Sequence, residues 1–158
     1  MKKLRIYLDT SVIGGCFDSE FSLWSNGLLQ DFKMGNYQPI LSEVVAAEIE
    51  DAPEHIQGKY AEIIDMGAEY LEINSEVLEL AEVYLENHIL TPKFSDDMMH
   101  IALSTVADVD VLVSWNFKHI VHYDKIRQFN AVNLRLGYKS LQIFSPREVA
   151  NYEDKNRI

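Results

Sequence analysis

Basic residues are scarce in this chain of 158: 14 Lys and Arg stand against 25 Asp and Glu, a net charge of −11. A uniformly cationic nucleic-acid glove is thereby excluded, because phosphate binding is mostly cationic. Cysteine is scarcer still. Cys16 is the one thiol, so no internal disulfide forms and a stapled secreted scaffold is out. Long hydrophobic runs are missing too: after Met1-Lys2-Lys3 the apolar stretch lasts a few residues before Asp9 interrupts it. That is too short for a signal peptide or a bilayer span. No linker rich in glycine or serine and no internal repeat breaks the chain, and 47% apolar residues with 11% aromatics exclude disorder. The expectation is a soluble, cytoplasmic protein with no membrane association and one domain over 1–158, within the usual ~100–200 residues per domain.

Several chemistries are also missing. There is no glycine-rich phosphate loop and no G-x-S-x-G serine elbow. Cys16 has no evident base beside it, which favours packing over nucleophilic attack. His119-x-x-His122 has no nearby cysteine and fits no common zinc spacing, so both histidines are expected on a solvated turn. Asp9-Thr10-Ser11 is not the D-x-D of an aspartyl-phosphate enzyme.

What is present is an alternation of two patterns. Short aliphatic runs at Leu4–Leu8, Pro39–Leu41, Tyr70–Ile73, Val111–Val113 and Leu141–Phe144 predict buried strands of a parallel sheet. Between them, helical spacing runs from Phe21 to Met34, from Ser42 through Val44, Val45 and Glu48, and from Pro53 toward Gly67. A further helix opens at Ser75, with Leu78, Ala81, Val83 and Leu85 as its apolar side, and another opens at Ser95 with Ile101, Ala102 and Val106. Strand–helix alternation implies an α/β layered fold with right-handed crossovers. Charge is unevenly placed. Glu43 to Asp97 holds fifteen acids against Lys59 and Lys93, whereas Trp115 to Lys139 nets +4. Lys118, Arg127 and Arg135 in that basic stretch are the candidates for a polyanion contact, with a solvated face as the alternative.

Three carboxylate-bearing places and one polar turn remain. Asp9 ends the first strand, where open α/β sheets bind ligands, although a strand-end Asp also serves as a plain N-cap. Glu48 shares a helix side with Val44 and Val45, or is a surface acid. Asp96 and Asp97 open a helix, where the dipole favours acids by ~0.3–1 kcal/mol in any case. Val111-Leu112-Val113-Ser114-Trp115-Asn116 is a strand that breaks into a polar turn on the edge where Asp9 lies. Carboxylates converging there repel unless a cation sits between them, and hard oxygens without thiolates select Mg²⁺ or Mn²⁺. Such a site suits phosphodiester hydrolysis.

In order and spacing, Leu8-Asp9-Thr10-Ser11, the Ser42…Glu48 helix, Ser95-Asp96-Asp97…His100-Ile101-Ala102 and Leu112-Val113-Ser114-Trp115-Asn116-Phe117 resemble the motifs of PIN domains over nearly the whole chain. The length resembles VapC-type toxins of bacterial toxin–antitoxin pairs. The resemblance implies a three-layer fold with a mostly parallel central sheet, a metal-dependent endoribonuclease activity on RNA, an antitoxin protein as partner, and room for a homodimer. It assigns Asp9, Glu48 and Asp97 to three acidic metal positions, and Ser11 and Ser114 to the hydroxyls beside them. The family's usual fourth acid falls on Asn116, which keeps an oxygen and loses a charge, so a second metal should suffer more than the first. Asp110 is no substitute, at about 13 Å from Ser114 along the strand; Asp96 is turned ~100° from Asp97. Two other classes stay open: a PIN-like module that binds RNA or protein without cutting, and an unrelated acidic α/β interaction module.

Overall fold

The computed structural model describes residues 2–151; the rest of the 1–158 domain expectation lies outside the described residues. Five strands form one sheet: β1 (Leu4–Leu8), β2 (Tyr37–Ser42), β3 (Glu69–Leu71), β4 (Val111–Val113) and β5 (Ile143–Phe144). Every pairing is parallel, and the order is β3-β2-β1-β4-β5. Parallel strands need crossovers, and here these are helical: α1 (Thr10–Gly15), α2 (Ser22–Lys33), α3 (Glu43–Glu50), α4 (Glu54–Asp65), α5 (Ser75–Glu86), α6 (Ser95–Val106) and α7 (Tyr123–Arg135), with α8 (Pro146–Val149) after β5.

The sheet is covered on both faces, which is why its strands read as unbroken apolar runs. Ile6, Tyr7, Leu8, Ile40, Leu41, Leu112 and Val113 are all fully buried. At roughly 1.5–3 kcal/mol for each fully buried large aliphatic or aromatic side chain, these strands anchor the core.

The chain order creates the site. From β1 the chain builds outward through β2 to β3, then returns to the other flank of β1 with β4 and β5. The order therefore reverses between β1 and β4, and the carboxyl ends at such a switch point leave a crevice. Leu8 pairs with Val113, and the Asp9 amide donates to the Val113 carbonyl at 3.3 Å. Asp9 and Ser114 thus leave the sheet side by side.

The expected strands at Leu4–Leu8 and Val111–Val113 agree with the structure, while β3 starts one residue early and β5 keeps only Ile143–Phe144. On α5 the buried residues are Val77, Leu80 and Tyr84; Leu78, assigned to the apolar side, is exposed. Apolar residues at almost every position of Val77–Leu85 allow two stripes. Packing against α6 and α7 chose the one that carries Tyr84, whose hydroxyl bonds to Asn133 and Thr105. Helices α1, α7 and α8 are additional to those expected. No helix among the described residues is long and apolar enough to cross a membrane.

Candidate functional site

Asp9 caps the end of β1 in extended backbone, but its side chain does not cap α1. It turns instead into the crevice and is buried. Ser11 donates to Oδ1 at 2.6 Å and Ser114 donates to Oδ2 at 2.5 Å, so both oxygens are held. Each serine is fixed in turn. The Trp115 amide donates to Ser11 Oγ at 2.9 Å, and the Asn116 amide donates to Ser114 Oγ at 2.9 Å. Burial pushes the Asp9 carboxyl above its ordinary value; the nearby His100 charge and the two hydroxyls only partly offset it.

Glu48 arrives from α3, whose N-terminus is capped by Ser42 through the Val45 amide. Thr10 donates to Glu48 Oε1 at 3.0 Å, and His100 Nε2 donates to the same oxygen at 2.8 Å. His100 comes from α6, one turn after Asp97. Its other nitrogen, Nδ1, is 2.6 Å from the buried Tyr7 hydroxyl, which in turn meets Ser42 Oγ at 2.7 Å. A doubly protonated ring satisfies this line: Nδ1–H donates to Tyr7, and Tyr7 donates to Ser42. Burial pulls His100 down, yet the Glu48 bond and the Asp9, Glu48 and Asp97 charges outweigh it and hold it above its ordinary value. For Glu48, burial pushes up, but His100 and Thr10 leave the carboxyl below the usual range.

Asp97, in the first turn of α6, is met by two groups on the β4–α7 turn. His119 Nδ1 donates to Oδ2 at 3.0 Å and Asn116 Nδ2 lies 3.4 Å from the same oxygen. Asn116 Oδ1 accepts the amides of Lys118 at 3.2 Å and His119 at 2.9 Å, so this side chain also caps its own turn. His119 is buried, with its ring 3.9 Å from that of Phe94. The expectation of a solvated His119 is therefore corrected: twenty-two residues separate it from Asp97, and only the fold brings them together.

Asp9, Ser11, Ser114, Asn116 and Asp97 are thus joined by hydrogen-bonded steps that end on His119, while Glu48 belongs to a separate line with Thr10, His100 and Tyr7. Asp96 is exposed and outside the set, and Asp110 accepts from the Arg5 amide at the far end of β1. Cys16 is buried, and burial pushes its thiol up to about 11, which fits packing. Lys118 lines an open cleft shared with His119. Arg127 lines a different one, on α7, and pairs with Asp124 at 3.9 Å; Arg135 is exposed in the last turn of α7. The basic stretch does not act as one surface. Sequence reasoning gave no role to His100, Thr10 or Tyr7. The signals were there: His100 stands one helical turn from Asp97, and Tyr7 shares the Asp9 side of the strand pleat.

By donor type the set fits a hard divalent ion, with carboxylate oxygens and no thiolate. Among the described residues no three His, Cys, Asp or Glu side chains are grouped to hold an ion as they stand, and His100 and His119 already bond to Glu48 and Asp97. Glu48 Oε2 and Asp97 Oδ1 accept no hydrogen bond within this set.

These shifts set a pH dependence in chelator. The lowered Glu48 contributes stability that is complete above its ordinary 4.5 and is lost as pH falls through its lowered value. The raised His100 contributes stability that is complete below its ordinary 6.5 and is lost as pH rises through its raised value. Asp9, being raised, costs stability that sets in above its ordinary 3.8 and is complete once pH passes its raised value. Melting temperatures in EDTA should fall below pH 4.5 as Glu48 protonates, and should decline as pH rises, first through Asp9 and then above 6.5 through His100. His100→Gln should cost about 1–3 kcal/mol at pH 6 and flatten the alkaline decline. Parallel curves for the two proteins would remove the His100 proton from the account.

No family model matches the chain, and no curated protein matches its sequence. Among solved structures, a chain of VapBC2 from Rickettsia felis, crystallised bound to a DNA fragment from their promoter, superposes with a TM-score of 0.58. The alignment covers 90% of this chain and 98% of that one at 14% identity. The five-stranded parallel sheet between helices is a PIN-like fold, as the ordered motifs imply.

Proposed function

We propose that this PIN-like chain is a divalent-metal-dependent endoribonuclease and the toxin of a toxin–antitoxin pair. The observation that carries the reading is the buried Asp9 carboxylate, held by two serines at the switch point and linked through the Ser114–Asn116 turn to Asp97. A buried carboxylate that no lysine or arginine among the described residues meets costs stability, which supports a role for it other than in the fold. Fold likeness alone gives no activity, and the weight rests on these residues.

Asp9, Glu48 and Asp97 would hold Mg²⁺ or Mn²⁺, which when bound supplies charge stabilisation at a phosphodiester and lowers the pKa of a nearby water. The chain's own residues do the rest. Ser11 and Ser114 fix the Asp9 carboxylate plane. His100 keeps Glu48 ionised and aimed across the crevice. Asn116 sets the turn that presents Asp97, and Lys118 stands beside it to meet an RNA phosphate. For the partner, a stack of Phe21 on Trp115 at 4.2 Å, with the exposed Phe117 at its edge, offers an apolar face for an antitoxin protein.

A second reading, a PIN-like module that binds RNA or protein without cutting, is favoured by the same two histidines and by Asn116, which satisfy the carboxylates internally. Titrating RNA cleavage against Mn²⁺ separates the two. Asn116→Asp keeps the turn-capping oxygen and adds an anion next to Asp97, so the Mn²⁺ needed for half-maximal cleavage should fall. Asn116→Ala loses the oxygen that accepts two backbone amides and should raise it, by about 10–100-fold. Absence of cleavage in all three proteins on varied RNAs would favour the non-cutting module.

A further inference from the structure

Beside Asp97 lies an open cleft of about 670 Å³, whose floor is apolar and whose rim carries Lys118, His119 and Lys125. Leu85, Ile89, Leu90 and Phe94 supply the floor, and no acid among the described residues lines it, although the chain as a whole carries a charge of −11. His119 joins cleft and site: one side of it donates to Asp97, and its ring packs on Phe94. Lys125 is tied to the Ile89 carbonyl at 2.7 Å, so its ammonium stands fixed at the rim. Lys118 is held by its amide on Asn116, in the turn that reaches Asp97.

An apolar floor that includes the Phe94 ring, under a cationic rim, matches a nucleobase with its phosphate. Single-stranded RNA is gripped in this way, by bases splayed onto aromatic and apolar side chains while cations follow the backbone. The volume lies in the ~300–1,000 Å³ range of small-molecule sites. We infer that this cleft takes one unpaired base of the RNA next to the cut phosphate, with Lys118 and Lys125 on the adjoining phosphate. The inference rests on the ribonuclease reading above and adds a specificity subsite to it.

The test uses a fluorescein-labelled, uncleavable 2′-O-methyl single strand, read by anisotropy in Mn²⁺. Each position of the strand is replaced in turn by an abasic residue. Wild type should bind about tenfold more weakly when one position loses its base, and should be indifferent at most others. Thr91→Trp, on the exposed rim, fills the cleft without touching a carboxylate. This variant should bind the intact strand about tenfold more weakly and lose the abasic signature. Lys118→Ala should weaken all strands alike and lower the salt slope by about one. Wild type that binds with a flat abasic scan would overturn the subsite and leave the nuclease reading standing. A shift of the oligomeric state by Thr91→Trp, with RNA binding intact, would assign the cleft to a second copy and overturn it too. Absence of RNA binding and cleavage by wild type would overturn both readings together.

Discussion

Asp9→Asn is expected to raise the melting temperature in chelator while lowering RNA cleavage by about a thousandfold. The two effects have one cause. The carboxyl is buried, burial is the largest influence on it, and its ionisation therefore works against the fold. Asparagine has the same shape. Its Oδ1 still accepts one serine hydroxyl, and the other hydroxyl rotates to accept from Nδ2. The variant therefore sheds an anion without opening a hole. Function loses what stability gains, because the anion is the ligand the proposed ion needs. Loss of about 4 kcal/mol of transition-state charge stabilisation is close to three factors of ten. Thermal melting in EDTA and single-turnover cleavage in Mn²⁺ read the two halves. A variant less stable than wild type would mean that the Asp9 charge is structural, as in a plain hydrogen-bonded core acid.

Gly15→Ala should be strongly damaging for a single added methyl. A Cβ there would sit 2.6 Å from Trp115 Nε1 and 2.7 Å from Ser25 Oγ. Those atoms cannot step aside cheaply: Trp115 Nε1 donates to Ser25 Oγ at 2.8 Å, and Ser25 donates to the Val12 carbonyl. Overpacking of this kind costs about 1–3 kcal/mol, near 5 °C in melting temperature for a chain of this size. The damage should reach the site, because the Trp115 amide orients Ser11, and Ser11 orients Asp9. Gly58→Ala, in α4 with nothing within 4 Å of the added carbon, is the control and should be neutral or stabilising by about 0.5–1 kcal/mol. Equal behaviour of the two alanines would show that Trp115 yields freely, and would uncouple it from Asp9.

Much of the frame was legible because buried parallel strands write themselves as aliphatic runs. Leu4–Leu8 and Val111–Val113 were located to the residue, and their pairing sets Asp9 beside Ser114. The Ser42 cap of α3 was legible for a local reason, since capping needs only a hydroxyl before a helix. What sequence could not give were the long-range polar bonds. His119 looked solvated because its partner, Asp97, lies on another element. Helix α7 hid behind its charges: it buries only Phe129, Val132 and Asn133, and leaves Leu134 exposed. The basic stretch therefore read as one patch, whereas the fold turns Lys118 toward the site and Arg127 along α7 toward a separate cleft. The buried line from Tyr7 through His100 to Glu48 joins β1, α6 and α3, and no spacing along one element encodes it.

The central claim is that the three carboxylates serve a divalent ion in cutting RNA. Its most direct measurement is cleavage of a panel of unstructured RNAs by the wild-type chain in millimolar Mn²⁺, in EDTA, and after Mn²⁺ is restored, with Asp9→Asn purified alongside. Cutting is expected in Mn²⁺, none in EDTA, recovery on restoration, and close to none by Asp9→Asn throughout. Cutting that survives EDTA, or that Asp9→Asn performs as well as wild type, would contradict it.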